Sequence, residues 1–264
     1  MSNRNETPKE LQLVTPSWLE EAIPEDDTSL DSVMAYKRVP IIKVLQSLSD
    51  TELLDKHGVG SAILQPLGSL LCNAGKKFKF VPIFMFTEWQ KRSDRRDKVS
   101  PMVMEKSFDK MGELAKMAAN KDTREEPYKD NPEWRFRYVE CLNFCGVIYD
   151  GPLKGNEAVM QFVKGEYFTG TNFCSVLSMR KIGGKFAPLY SQVFEFTPKL
   201  RERDSNKWYG LDFEASDPSI VTQDEFQVFK DQHEETKKLF LEKKLQVDGE
   251  DHDEAVEEEV TSEM

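Results

Sequence analysis

The clearest periodicity in the chain lies at residues 76–98. Phe78, Phe80, Phe84 and Phe86 share one parity, while Lys77, Lys79, Val81, Ile83 and Met85 share the other. Alternation with period two is the pattern of a β-strand with two different faces. Trp89 stands at the predicted exit of this strand, and Lys91, Arg92, Arg95, Arg96 and Lys98 follow at once. The longest β-signal covers residues 134–150. There Trp134, Phe136, Tyr138, Leu142, Phe144 and Ile148 alternate with Arg135, Arg137, Val139, Cys141 and Val147. Gly151-Pro152 ends it, and Gly155-Asn156 makes the next turn. Shorter strands are predicted near 38–46, 58–64, 158–163, 190–196 and 207–213. Residues 47–56 read as a turn or short helix, 67–73 are ambiguous, and 197–205 read as a polar, basic turn. Helical spacing marks three segments. One is 102–120, with Phe108, Met111, Leu114 or Ala115, and Ala118. A second follows a cap at Thr169 or Thr171, carries Phe173, Val176, Leu177 and Arg180, and stops at Gly183-Gly184. The third is 222–246, with Phe226, Phe229, His233, Lys237 and Phe240.

Without the inserted helix at 102–120, the order from residue 76 onward is β-β-β-α-β-β. That is the order of the OB-fold, a five-stranded Greek-key barrel whose open face and loops take oligonucleotides or oligosaccharides. The fold class expected is mainly β with inserted helices (α+β): an OB-fold-like Greek-key barrel, a C-terminal helix and a disordered acidic tail. Residues 1–35, polar and interrupted by Pro8, Pro16 and Pro24, read as a flexible N-terminal arm. The nucleic-acid-binding domain is expected over 36–221, the closing helix over 222–246 and the tail over 247–264.

Charge changes the picture. The formal net charge of −11, taken as a sum, argues against a nucleic-acid partner. Nine Asp or Glu and no Lys or Arg fall in residues 248–264, however, and subtracting those nine leaves −2 for the rest. The body is therefore near neutral with locally basic surfaces, and blocks of like charge are usually tails that engage partners. No run of 18 apolar residues predicts a membrane helix, and the first residues lack the apolar region of a secretory signal. Cys72, Cys141, Cys145 and Cys174 form no CxxC pair and have no neighbouring His, while His57, His233 and His252 are scattered. Reduced thiols in a cytoplasmic protein fit best, with no metal and no cofactor expected. No GxxxxGK[ST], HExxH or GxSxG occurs, so no enzyme is expected. A metal-dependent nuclease built on Asp109, Glu113, Glu125 and Glu126 is the enzymatic alternative, although those carboxylates fall where solvated charges are ordinary.

Four aromatic and basic groupings fall on the predicted barrel. The first is Lys77 and Lys79 with Trp89, Lys91, Arg92, Arg95 and Arg96. The second is Trp134, Arg135 and Arg137. The third is Lys164-Gly-Glu-Tyr-Phe with Tyr167, and the fourth Lys199, Arg201 and Arg203 through Lys207 and Trp208. Flat rings to stack on and cations to track phosphates are what a single-stranded nucleic acid needs from a protein, at about 1–3 kcal/mol per stacked base. Phe136, Phe144, Phe194 and Phe196 are expected in the core instead.

The stretches RVPIIKVLQSLSD, VPIFMFTEWQKR, REEPYKDNPEWRFRYVECLNFCGVIY, EYFTGTNFCSVLSMRK and PLYSQVFEFTPKLRERDSNKWYGLDFE, with the closing helix and acidic tail, resemble bacteriophage single-stranded DNA-binding proteins. The resemblance covers about residues 36–264. It implies a protein that coats exposed strands during phage replication or recombination in the host cytoplasm. Its tail residues Asp251, Asp253, Glu254, Glu257, Glu258 and Glu259 would compete with phosphates for the groove and engage polymerase and helicase or primase. The sequence leaves homo-oligomerisation open. The alternative is a non-enzymatic interaction factor, an acidic-tailed chaperone or a phage structural or inhibitory protein.

Overall fold

The computed structural model describes residues 37–93, 102–129, 133–203 and 206–248. Contacts divide the chain into Met1–Ala35 and Tyr36–Met264, and every described residue belongs to the second unit. The arm at 1–35, Arg95, Arg96 and Lys98, and the tail residues Asp251, Asp253, Glu254, Glu257, Glu258 and Glu259 lie outside the described residues.

The described elements are mostly strands. β1 (Lys37–Val44) leads through α1 (Thr51–His57) to β2 (Ala62–Gln65) and β3 (Ser69–Cys72). The long β4 (Phe78–Ser93) is followed by β5 (Met102–Ser107), α2 (Glu113–Ala119), β6 (Glu125–Pro127), β7 (Arg135–Ile148) and β8 (Glu157–Val163). Then come α3 (Tyr167–Met179), the small hairpin β9 (Lys181–Ile182) and β10 (Lys185–Phe186), and the long pair β11 (Gln192–Arg203) and β12 (Asn206–Ile220). α4 (Gln223–Leu241) and β13 (Leu245–Asp248) close the body. The main sheet runs β12-β11-β4-β7-β8-β1-β2-β3, with β5 on β4, β6 on β7 and β13 on β1. This is a mostly β fold with four α-helices among the described residues and an open sheet. β8 pairs in parallel with β1 rather than with β12, so the ladders do not close the barrel expected from the strand order. A side chain bridges part of that gap. Gln46 donates to the Tyr209 carbonyl at 2.8 Å and accepts from the Tyr209 amide at 2.8 Å.

The core is aromatic. Phe173 of α3 is fully buried among Phe144, Phe194, Phe196 and Phe213, with ring centroids 4.8–5.3 Å away. Three of the four rings expected in the core, Phe144, Phe194 and Phe196, are there; Phe136 is half-buried.

A β-bulge decides how β4 distributes its own rings. Pro82 pairs with Gly146 and Phe84 with Cys145, so Ile83 is the extra residue. Proline supplies no N–H to a ladder, which makes a bulge the natural place for it within a sheet. The parity of β4 switches there. Phe78 and Phe80 pack into the core under α3, whereas Phe84 and Phe86 meet Phe240 of α4 at 5.4 and 5.1 Å. His233 takes the bulged carbonyl, its Nδ1 donating to Ile83 O at 2.7 Å.

Several expected boundaries are corrected. Residues 102–107 form β5 on β4 rather than the start of a helix, because Met102, Val103 and Glu105 to Ser107 pair with β4, Met104 being the extra residue; only Glu113–Ala119 is helical. β4 itself continues through Trp89 to Ser93. The stretch at 197–205 is mostly ladder, not turn, since Thr197 to Arg203 pair residue by residue with β12. α3 starts at Tyr167 with no side-chain cap, leaving Thr169 and Thr171 inside it. α4 begins at the predicted Thr222, which forms a capping box with Glu225. It ends at Leu241, and Lys243 at φ +59° turns the chain into β13.

Replacing Phe173 by Ala is expected to lower unfolding free energy by about 3–5 kcal/mol, read from urea or thermal melts, because four neighbouring rings cannot collapse into its volume.

Candidate nucleic-acid interface

Two of the expected stacking rings serve other purposes. Trp89 is 8% exposed, packed with Leu114 and Ala115 of α2 and with Tyr138. It is core under the inserted helix, not a platform. Trp208 is half-buried, and its Nε1 donates to Glu166 Oε1 at 2.9 Å. Glu166 also accepts from the Leu211 amide at 3.1 Å and pairs with Arg201 at 2.7 Å. A Cβ on Gly210 would lie 2.2 Å from that carboxylate, so only glycine lets Glu166 approach the β12 backbone.

Most cations expected on phosphates already face carboxylates. Arg201 bonds Asp212 at 2.7 Å, Lys199 bonds the same Asp212 at 2.9 Å, and Lys207 meets Glu202 at 3.2 Å. Burial alone would raise the Asp212 carboxyl, but Lys199 and Arg201 hold it below the ordinary Asp value. Lys77 bonds Glu214 and Glu195, which push its ammonium up to about 12, and Lys79 lies 3.7 Å from Glu195. Arg92 is tied to Gln90 at 2.6 Å and to Gln161 at 2.9 Å. Arg203 ends β11, and its side chain lies outside the described residues. The fourth grouping is therefore an ion-pair network binding the start of α3 to the β11–β12 hairpin.

Rings and cations do come together at the far end of β4 and β7. Tyr128 stacks on Phe136 with centroids 3.9 Å apart and planes at 20°, and Trp134 meets Tyr128 edge-on at 5.8 Å. Lys91 places its ammonium 4.2 Å from the Phe136 ring centre and 3.8 Å from Glu126. The Tyr138 hydroxyl donates to Glu126 at 2.8 Å. Next to this stack along β7 opens a cleft of 390 Å³, lined by Arg124, Glu125, Arg137, Tyr138, Glu140, Lys164 and Tyr167 with Ala118 and Val139. Arg137 lies 3.8 Å from Glu125. Lys164 sits at φ +53°, the left-handed turn that ends β8 and starts the approach to α3. Tyr167 is half-buried; burial and then its hydrogen bond to Glu140 push its hydroxyl up to about 12.

Of the sequence-predicted residues, the structure gathers Lys91, Trp134, Arg137 and Tyr167 here. Arg135 starts β7 at the same end, opposite Pro127 of β6. Tyr128 and Arg124 were not foreseen, because both lie in a polar loop without periodicity. The short β6 that carries the chain past Arg137 was the missing signal.

Burial pushes the Cys72 and Cys145 thiols up to about 12, so neither is poised for chemistry. Among the described residues no three His, Cys, Asp or Glu side chains gather as metal ligands, and no helix is long and apolar enough to cross a membrane.

A family model described as Pam3 phage gp34-like protein matches residues 9–242. No curated protein and no solved structure matches the chain.

Because the folded state depresses the Asp212 pKa, its ion pairs contribute stability above the unfolded Asp value of about 3.9, and this is lost as pH falls through the folded value. Asp212→Asn is therefore expected to lower the melting temperature at neutral pH. The gap to the unchanged protein should close below about pH 4, as thermal melts across that range will show.

Proposed function

The chain belongs to the Pam3 phage gp34-like family, and for this phage protein we propose the binding of single-stranded DNA during replication or recombination in the infected host cell. The observation that carries the reading is the Tyr128–Phe136–Trp134 ring group beside the cleft of Arg124, Arg137 and Lys164. Bases stack on Trp134 and the outer face of Tyr128, which Phe136 backs, and the backbone runs along the cleft.

The element order supports this. β4, β7 and β8, then α3, then β11 and β12 follow the OB-fold sequence of three strands, a helix and two strands. β11 also pairs with the start of β4, as the fourth and first strands of such a fold do. The ring group lies at the connection between the first and second of these strands, one of the loops with which OB-folds bind oligonucleotides.

Magnitudes favour the exchange of partners that binding requires. The Lys91–Glu126 and Arg137–Glu125 pairs are long and partly exposed, and such surface pairs contribute about 0–1 kcal/mol each. Stacking contributes about 1–3 kcal/mol per base. A phosphate can therefore displace a carboxylate there, while the shorter Arg201–Asp212–Lys199 network stays with the scaffold. Polymerase, helicase or primase are the partners proposed for the acidic tail.

Trp134→Ala and Arg137→Glu are each expected to weaken oligo-dT binding, the ring change by roughly 5- to 150-fold. Affinity should fall with a log–log salt slope of about −0.7 per phosphate contact. Fluorescence titration at several salt concentrations checks both. Absence of oligo-dT binding at low salt would overturn the reading and favour the interaction factor.

A further inference from the structure

A second concavity lies away from the rings and cations of the interface. This groove of 640 Å³ runs between α3, the β9–β10 hairpin and α4. It is lined by Phe84, Met85, Leu177, Phe186, Leu189 and His233, with Cys174, Ser178 and Ala187 between them. Phe186 is 69% exposed, an unusual cost for an aromatic ring in water. β4 runs along this groove, with residues 189–191 beside it and its Ile83 carbonyl taken by His233. Its pairing with β11 ends at Phe80 and its pairing with β5 starts at Trp89, so among the described residues the intervening stretch is paired only with β7. An apolar groove bordered by a strand that pairs on one side only is the kind of surface that takes a peptide's apolar side chains.

Charge selects the peptide. No carboxylate lines the groove. Lys181 and Lys185 stand exposed on the hairpin wall. Lys230 and Lys237 lie one helical turn to either side of His233 on α4. The occupant should therefore combine apolar side chains with several carboxylates.

The chain carries such a segment. Residues 249–264 hold eight Asp or Glu and no Lys or Arg, with Val256, Val260 and Met264 spaced four apart. The segment follows β13, whose Val247 packs in the same cluster as Phe84, a groove residue. Its 16 residues can extend roughly 50 Å, more than enough to turn back. We propose that residues 249–264 dock in the α3–β10–α4 groove of their own chain, with Val256, Val260 and Met264 on the apolar floor and the carboxylates on the basic rim. The DNA interface then needs no acidic competitor, since Glu125 and Glu126 already face its cations. The docking stands whether or not the protein binds DNA.

Hydrogen-exchange mass spectrometry on the full chain and on a chain ending at Asp248, which keeps β13, tests this. With an effective concentration of about 1 mM and a free-peptide Kd of about 0.1 mM, amides in 174–190 and 226–240 should exchange roughly tenfold slower in the full chain. A synthetic 249–264 peptide should restore that protection to the shortened chain. The same peptide with Val256→Ser, Val260→Ser and Met264→Ser should not. Phe186→Glu should abolish the protection in the full chain while amides of β7 stay as slow as before. The proposal is overturned by equal exchange in the two chains, or by protection from the Ser-substituted peptide. Protection at 124–138 and 164–167 instead would seat the tail in the DNA cleft, and protection rising with protein concentration would assign the groove to a second copy; either result also overturns it.

Discussion

The pairing of β4 with β7, from Phe80 opposite Ile148 to Ser93 opposite Phe136, is the constraint on which the rest depends. A single extra residue, Ile83, divides β4 into two functional lengths. Below it, Phe78 and Phe80 complete the core around Phe173; above it, the strand carries Trp89 and Lys91 out to the ring group. Gly146 makes the bulge feasible. A Cβ there would lie 2.2 Å from the Val81 carbonyl oxygen and 2.4 Å from the Phe80 ring, distances no side chain tolerates. One glycine and one proline, facing each other across two strands, thus set which rings are structural and which are presented.

Electrostatics in this molecule is local rather than global. Carboxylates meet most of the candidate cations, and apart from the exposed Lys77–Glu214 contact the shortest pairs surround Glu166 and Asp212, where backbone and indole hydrogen bonds share the load. Short, partly buried networks of this kind hold elements in place, whereas longer exposed pairs exchange partners readily. That gradient separates scaffold from interface more sharply than a count of Lys and Arg does.

Much of the fold was legible in residue order. The long β7, the short β8, α3 with Phe173 and the capped start of α4 all follow from period and punctuation, since each is decided by neighbours in sequence. The rest was decided by distant contacts. Counting parity along β4 could not register an extra residue, so four phenylalanines read as one face when they serve two. Trp89 read as exposed because the helix that covers it, α2, comes more than twenty residues later. Arg201 and Trp208 looked like a binding pair because their common partner, Glu166, is brought to them only by the turn before α3. Leu245 fits a continuing helix and Val247 the start of an acidic tail until β1 offers both an edge. Of the candidate site, Lys91, Trp134 and Arg137 were visible as composition, but Tyr128 and Arg124 became visible only once β6 was laid against β7.

The Gln46–Tyr209 contact has a mechanical meaning. Separating β4 from β7 requires undoing a full ladder together with the packing on both of its faces. Parting the end of β1 from β12 at this point requires giving up two hydrogen bonds from one amide, about 1–3 kcal/mol together. The sheet thus carries a seam held by side chains instead of a ladder, Gln46 and the Tyr209 ring against Gly60, and thermal opening of the body should begin there rather than at its long central strands.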